Sequence, residues 1–384
     1  MIYLDQAATS LIKPKAVAKA VYEAIASETL GNPSRGGHKA SLTASRLIHH
    51  TRSTIEDFFN AGDYHVVLTK NVTEALNTAI KGLIGPNDHV ITSVLEHNSV
   101  LRPLYQLEAT GTTLDFVSCE KGTSNLILDD FSRLLKANTK AVVITHASNV
   151  TGSVTNMEWI SHFCKENNLL LIVDGAQTAG ILPINLDQLD MDVFCFTGHK
   201  SLYGPQGTGG MCVKKALNIT PNTTGGSGNN TFSKHQPATM PEKLEAGTPN
   251  LPGLSGLVAG INYVQKIGIE VLSNHVNHLA ITFLTEIKKM SFVDPFVTEN
   301  LANTGIVPLK VTGLDASEVS EWLEENYDIY TRPGAHCAPL FHQHLNTESC
   351  GIVRFSFSAF NTKEQVMVAV NALQELGKEL TKNA

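Results

Sequence analysis

The chain has 384 residues, a formal net charge of −7, 42% hydrophobic and 17% charged residues, and is too long for one small core. Its charges are dispersed, so the clustered Lys and Arg of a nucleic-acid binder are missing. No apolar run approaches the roughly 18–20 residues of a membrane span. The start, "MIYLDQAATS", lacks a basic-then-apolar signal pattern, so a cytoplasmic protein is expected. Cys119, Cys164, Cys195, Cys212, Cys337 and Cys350 follow no framework spacing and are expected to be reduced thiols.

In chain order, β-branched runs alternate with helix-length segments. "HVVLT" ends at Thr69, and "NVTEALNTAIKGLI" follows with apolar residues at helical spacing. "HVITSV", "TTLDFVS", "AVVITH", "LLLIVDGA", "VFCFTGHK" and "GGMCVKK" come next. Continuous apolar strands separated by helices predict a largely parallel sheet covered on both faces, an α/β large domain. The Gly-, Ser-, Asn- and Thr-rich stretch 223–243 reads as a loop. After "EAGTPNLPG" one long helical region is expected from about 254 to 290. "TGIVPLKVTG" then reads as a strand, "DASEVSEWLEENY" as a helix and "IVRFSFSAF" as a strand. A closing helix is opened by Thr362 and Gln365 as a capping box. This predicts a smaller α+β domain of residues 1–15 and 254–384 beside a large domain of 16–253.

Asp174 ends the apolar run "LLLIVD", at the strand edge where open α/β sheets bind ligands. Taken alone it reads as a helix cap. Lys200, in "VFCFTGHKSLYGPQGTGG", also follows an apolar strand and stands among Thr197, His199 and Ser201. A phosphate-binding P-loop needs Gly immediately before the Lys, where this chain has His199, and the glycines after Lys200 lack dinucleotide-fingerprint spacing. Together the two residues suit pyridoxal 5'-phosphate (PLP), which takes a lysine for its Schiff base and an acid for its pyridine nitrogen. "KNVTEALN" offers the phosphate the N–H groups of Val72 and Thr73 and the Thr73 hydroxyl at a helix start, with Thr197 and His199 completing the cradle.

Nearly end to end, "YLDQAATS", "GNPSRGGH", "LEHNSV", "HASNVTG", "VDGAQTAG", "TGHKSLYGPQGTGG", "EAGTPN", "RPGAHCAP" and "RFSFSAFNT" carry a resemblance. The chain resembles the cysteine desulfurases and selenocysteine lyases of the PLP-dependent class V aminotransferase superfamily. The resemblance implies fold type I, with a mostly parallel seven-stranded sheet. It implies Lys200 as the Schiff-base lysine and Cα proton carrier, Asp174 at the pyridinium nitrogen and Gln177 at the ring hydroxyl. His97 would lie over the ring and shuttle a proton, and Asn149 would contact the cofactor or the substrate carboxylate. Val72, Thr73, Thr197 and His199 would hold the phosphate, and Thr248 would reach the phosphate of a partner subunit in an obligate homodimer. Arg354 would grip the substrate carboxylate, with Arg332 and Arg35 nearby. The short segment from Cys337 to Arg354 resembles the branch with the "RxGxHC" pattern.

The resemblance also supplies a reaction for Cys337. Its thiolate would take the sulfur of L-cysteine as a persulfide while alanine leaves, helped by a neighbouring cation, His336 or Arg332. L-selenocysteine is the rival substrate, and a sulfur or selenium acceptor protein would follow. A class V transaminase would need no thiol in "RPGAHC", and a non-catalytic relative would not need Lys200 and Asp174. A zinc site of Cys337 with His336, His342 and His344 lacks paired ligands at both ends. The other cysteines, Cys350 included, are expected to be buried small hydrophobes, and His49 and His50 to be solvated or packed.

Overall fold

The computed structural model describes residues 1–33, 37–297 and 304–383. Its seven-stranded sheet runs, in spatial order, Tyr64–Thr69, Gly209–Lys214, Val193–Thr197, Leu170–Asp174, Thr139–Thr145, His89–Ser93 and Thr113–Val117. Only Gly209–Lys214 runs against its neighbours, so the sheet is mostly parallel, as the alternating pattern predicts. His89–Ser93 and Val193–Thr197 are buried at every residue, which is why these strands read as continuous apolar runs. Phe59 packs against Phe194 and Phe196 on one face, with ring centroids 5.2 and 5.3 Å apart. Leu76, Ala79 and Ile80 of the Val72–Leu83 helix join the core on the other face.

A four-stranded antiparallel sheet, Arg332–Gly334, Ile352–Ser356, Ile306–Val311 and Val293–Pro295, forms the second layer system. Its core includes Phe283 and Phe355, whose centroids lie 4.6 Å apart. The closing helix Lys363–Asn383 begins at the expected box: the Gln365 N–H donates to Thr362 Oγ1 and the Thr362 N–H to Gln365 Oε1, both at 3.3 Å. The helical region expected from 254 to 290 is instead two helices, Leu251–Ile267 and Ile269–Ile287. Gly268 divides them with φ 94°, a conformation that a helix interior cannot hold. "IVRFSFSAF" is strand only over Ile352–Ser356.

The first residues stitch the two sheets together. Ile2–Tyr3 pairs in parallel with Ile329–Tyr330, and Asp5 bridges Ser356. Residues 9–13 then cross to the loop carrying Lys200. That loop is pressed against helix Leu251–Ile267: a Cβ on Gly260 would lie 2.2 Å from the Leu202 carbonyl oxygen. Alanine favours a helix interior by about 1 kcal/mol over glycine, but here the clash is with backbone that cannot swing away. Gly260→Ala is therefore expected to destabilise the protein by about 2 kcal/mol, read as a fall in the thermal unfolding midpoint. A midpoint at or above wild type would show that the helix can retreat from the Lys200 loop.

Candidate active site

Asp174, Thr197 and the His146–Asn149 segment all lie at or just beyond the carboxyl ends of parallel strands, where helices cannot cover the sheet and a crevice opens. Asp174 is buried; its carboxylate accepts from the Ala176 N–H at 2.9 Å and from Ser99 Oγ at 3.5 Å. Burial pushes its carboxyl up, opposed by the Ala176 N–H, the Lys200 charge and Ser99. Lys200 lies in a narrow cleft of about 20 Å³ with Gln6, Gln177, Tyr203 and Ser356. Burial brings its amine down to about 8, against the pull of Asp174 in the other direction. An isolated lysine would be almost wholly charged at neutral pH, so this pocket enlarges the uncharged, reactive fraction.

The chain around Lys200 is fixed by neighbours remote in sequence. The His199 carbonyl accepts from the Ser10 N–H at 3.1 Å, Ser10 Oγ at 2.9 Å, Thr9 Oγ1 at 3.3 Å and Lys13 Nζ at 3.2 Å. After the lysine, the Tyr203 N–H returns to the Lys200 carbonyl at 2.9 Å and the Gly204 N–H to Gly198 at 2.7 Å. Gln177 donates to the Ala7 carbonyl at 3.1 Å.

His97 caps the helix Asn98–Glu108: its Nδ1 accepts from the Ser99 N–H at 3.0 Å and lies 2.8 Å from Ser99 Oγ. An accepting Nδ1 assigns the ring proton to Nε2. Burial first, then the nearby positive charges of Lys200 and Arg354, bring His97 down to about 4, so it is neutral at pH 7. Glu96, fully buried, accepts from Ser93 Oγ at 2.5 Å and the Thr145 N–H at 3.1 Å. Burial pushes it up to about 8, so it sits beside Asp174 largely as a neutral acid.

Arg354 Nη2 donates to Asp5 Oδ1 at 2.8 Å and its Nη1 to the Asn149 carbonyl at 2.8 Å. A guanidinium has five N–H donors, so these two contacts use two of them and leave three. Asn149 Nδ2 donates to the His336 carbonyl at 2.7 Å. Arg332 is half exposed and 3.9 Å from Asp5. Cys337 is exposed, and both it and His336 are left-handed, with φ 56° and 51°. Each such residue with a Cβ costs roughly 1–2 kcal/mol, so tertiary contacts must hold the pair.

Two expectations for this loop need correction. His336 is buried and brought down to about 3, chiefly by desolvation and then by Arg354. A neutral ring cannot serve as the cation beside Cys337. Cys350 is half-buried instead of enclosed in a core. The rings of His342 and His344 are bonded to Thr347 Oγ1 and to the Glu120 carbonyl. Among the described residues no group of three His, Cys, Asp or Glu could hold a metal.

Val72 and Thr73 open the helix Val72–Leu83, where first-turn N–H groups have no intrahelical partner. Asn71 caps by accepting from the Glu74 N–H at 2.9 Å, which leaves the two earlier donors to face an anion. His199 Nδ1 lies 3.0 Å from Thr9 Oγ1. Thr248 is exposed and lines, with Arg52, Lys70 and Glu245, a cavity of about 490 Å³ whose walls do not include Lys200. Arg35 lies outside the described residues. Sequence reasoning missed Asp5, Ser99, Glu96 and Lys13 as site residues. Asp5 stood in a quoted motif, but its partner Arg354 is 349 positions away and no local spacing announces it.

PLP can be tested against this crevice through its unpaired polar atoms. Thr197 Oγ1, Asn149 Oδ1 and Arg354 Nε are buried without a hydrogen-bond partner, a state that native interiors avoid. A hydroxyl, an amide oxygen and a guanidinium N–H suit a ligand carrying phosphate, ring hydroxyl and carboxylate groups. With the acid Asp174 and the amine Lys200 between them, the residues fit PLP.

The chain's relatives share this arrangement's fold. A family model described as aminotransferase class-V matches residues 2–368. A Pyrococcus abyssi protein named "Probable cysteine desulfurase" is 32% identical over 99% of this chain and 95% of its own length. The apo structure of a cysteine desulfurase from Thermococcus onnurineus has a TM-score of 0.90 and 30% identity, covering 98% of this chain and 95% of that one. The cysteine desulfurase CsdA from Escherichia coli, in its S-sulfonic acid form, has a TM-score of 0.85 and 27% identity over 98% and 94%. Matched over nearly its whole length, the chain belongs to the aminotransferase class-V family, the family whose cysteine desulfurases use PLP.

Proposed function

We propose that this protein is a PLP-dependent cysteine desulfurase, converting L-cysteine to L-alanine and retaining the sulfur as a persulfide on Cys337. The supporting observation is the tie between the Cys337 loop and the walls of the lysine pocket: the Asn98 N–H donates to the Cys337 carbonyl at 2.8 Å, next to His97. The reaction balances without an outside oxidant. The substrate Cβ–S bond breaks, an S–S bond to Cys337 forms, and the thiol protons end on the alanine methyl group and the persulfide.

Lys200, Asp174, Gln177, His97, Asn149, Thr197, His199, Val72 and Thr73 would hold the cofactor, which supplies an electron sink for charge developing at Cα. Lys200 moves the Cα proton. Neutral His97 offers its Nε2–H over the pocket. Arg354, aimed by Asp5, binds the substrate carboxylate with Asn149, and Arg332 and Arg35 are the further arginines of the substrate site. Residues 16–253 form the cofactor-binding unit, while 1–15 and 254–384 carry the cysteine loop. Thr248 reaches the cofactor phosphate of a second copy, making a homodimer with shared sites. No helix among the described residues is long and apolar enough to cross a membrane, and a reactive thiol needs a reducing compartment such as the cytoplasm. An acceptor protein then collects the sulfur.

The test is alanine release from L-cysteine and from L-selenocysteine by the PLP-loaded protein, with mass spectrometry of the Cys337 peptide. Alanine from L-cysteine together with a gain of one sulfur supports the proposal. Turnover of L-selenocysteine alone would make the protein a selenocysteine lyase. Alanine from neither would overturn both.

The amine of Lys200 also sets a pH dependence. With its value brought down to about 8, the folded state holds this proton less tightly than the unfolded chain. That contribution to stability is present above the ordinary lysine value and is lost as pH falls through about 8. PLP uptake by the apoprotein needs the uncharged amine. Its rate is expected to have a midpoint near pH 8 and to fall about tenfold per pH unit below it. Because Asp174 raises the amine's value, Asp174→Ala should move the midpoint lower. A midpoint above pH 10 would show that the pocket does not tune Lys200.

A further inference from the structure

Cys337 and His336 stand in a conformation that they would not keep by themselves, with φ 56° and 51° on two residues that carry a Cβ. Both of their carbonyls are held from the opposite wall. The Cys337 oxygen accepts from the backbone N–H of Asn98 at 2.8 Å, and the His336 oxygen from Asn149 Nδ2 at 2.7 Å. Asn98 is the first residue of the helix capped by His97. Asn149 is about nine-tenths buried, its Oδ1 is unpartnered, and its own carbonyl is held by Arg354. Behind the thiol, Ala338 and Phe341 are buried in a small apolar cluster with Leu95 and Val150. The groups that hold the cysteine backbone are thus neighbours of the groups that face Lys200.

We infer that the Asn98 backbone N–H and the Asn149 side chain are a clamp that positions Cys337, so that its thiol meets the substrate sulfur without any movement of the loop. This rests on the desulfurase reading and adds two positioning residues to it. Forming the S–S bond as the substrate Cβ–S bond breaks needs the attacking thiol at the right place, and a displacement of 1 Å costs about a hundredfold in such a step. A selenolate is the better leaving group, so cleavage of L-selenocysteine depends less on an attacking thiol. The clamp therefore favours the sulfur reaction in particular.

Asn98→Pro tests the first tether in the PLP-loaded protein. Proline is well tolerated as the first residue of a helix, and His97, with ψ 155°, already has the extended backbone required before proline. The substitution deletes one N–H, and Asn98→Ala keeps it. Asn98→Pro should lower alanine release from L-cysteine by about tenfold or more and change release from L-selenocysteine by less than about twofold. Deuterium exchange of residues 335–338 should speed up, and Asn98→Ala should match wild type in all three. Unchanged cysteine turnover, equal loss with both substrates, or unchanged exchange would each overturn the clamp. If the proline variant does not fold, Asn149→Ala is read by exchange alone, and wild-type exchange there overturns it as well. A wild type that releases no alanine from L-cysteine would sink the desulfurase reading, while the exchange measurement would still report on the tethers.

Discussion

Cys337→Ala is expected to stop alanine formation from L-cysteine while the protein still folds and takes up PLP. The side chain is exposed, so its removal leaves no core cavity. The carbonyl that Asn98 holds belongs to the backbone and survives the change. What disappears is a thiol kept beside the substrate. Effective molarities for well-oriented internal groups reach about 10⁵ M and more, so millimolar external thiol cannot replace it and a loss of at least about a hundredfold is expected. Turnover of L-selenocysteine should persist, because a selenolate leaves without needing attack at selenium. The measurement is alanine release with both substrates, wild type and variant side by side. A variant retaining its cysteine activity would remove Cys337 from the chemistry.

Lys200→Ala should cost more, because it removes activity toward both substrates. A positioned general base contributes about 10²–10⁴-fold, and Lys200 is the amine placed for the Cα proton, so a fall of at least about a thousandfold in both turnovers is expected. A small primary amine added to the variant should restore part of the rate, more so as pH rises toward the free amine's ordinary value of about 10. Borohydride treatment followed by peptide mass mapping checks the same residue: wild type should carry the cofactor mass on the Lys200 peptide, and the variant on none. Activity within tenfold of wild type would assign the proton to another group, and neutral His97 is the first to examine.

The contrast between Asp174 and Asp5 shows where sequence reasoning succeeds. Asp174 closes a run of apolar residues, and burial on both faces of a parallel sheet forces such runs, so the strand and its ligand-binding end are legible together. Asp5 has no such frame. Its role exists only because Ile2–Tyr3 pairs with Ile329–Tyr330 and brings it to Arg354. Gly268 is intermediate: glycine is visible, but a break and a tolerated helix glycine look alike until the backbone turns to φ 94°.

Local patterning by itself therefore determined the alternation of strands and helices, the strand ends bearing Asp174 and Lys200, the capping box at Thr362, and through its motifs the resemblance to the class V family. Those features depend on residues within one or two turns of each other, where periodicity and capping act. Tertiary structure alone decided which charge faces which. It paired Arg354 with Asp5, made His336 neutral by burying it beside Arg354, and hung the Cys337 backbone on Asn98 and Asn149. Desolvation and hydrogen bonding depend on distance in space, and sequence separation does not reveal it: Asp5 and Arg354 lie 349 positions apart and Asn149 and His336 lie 187 apart.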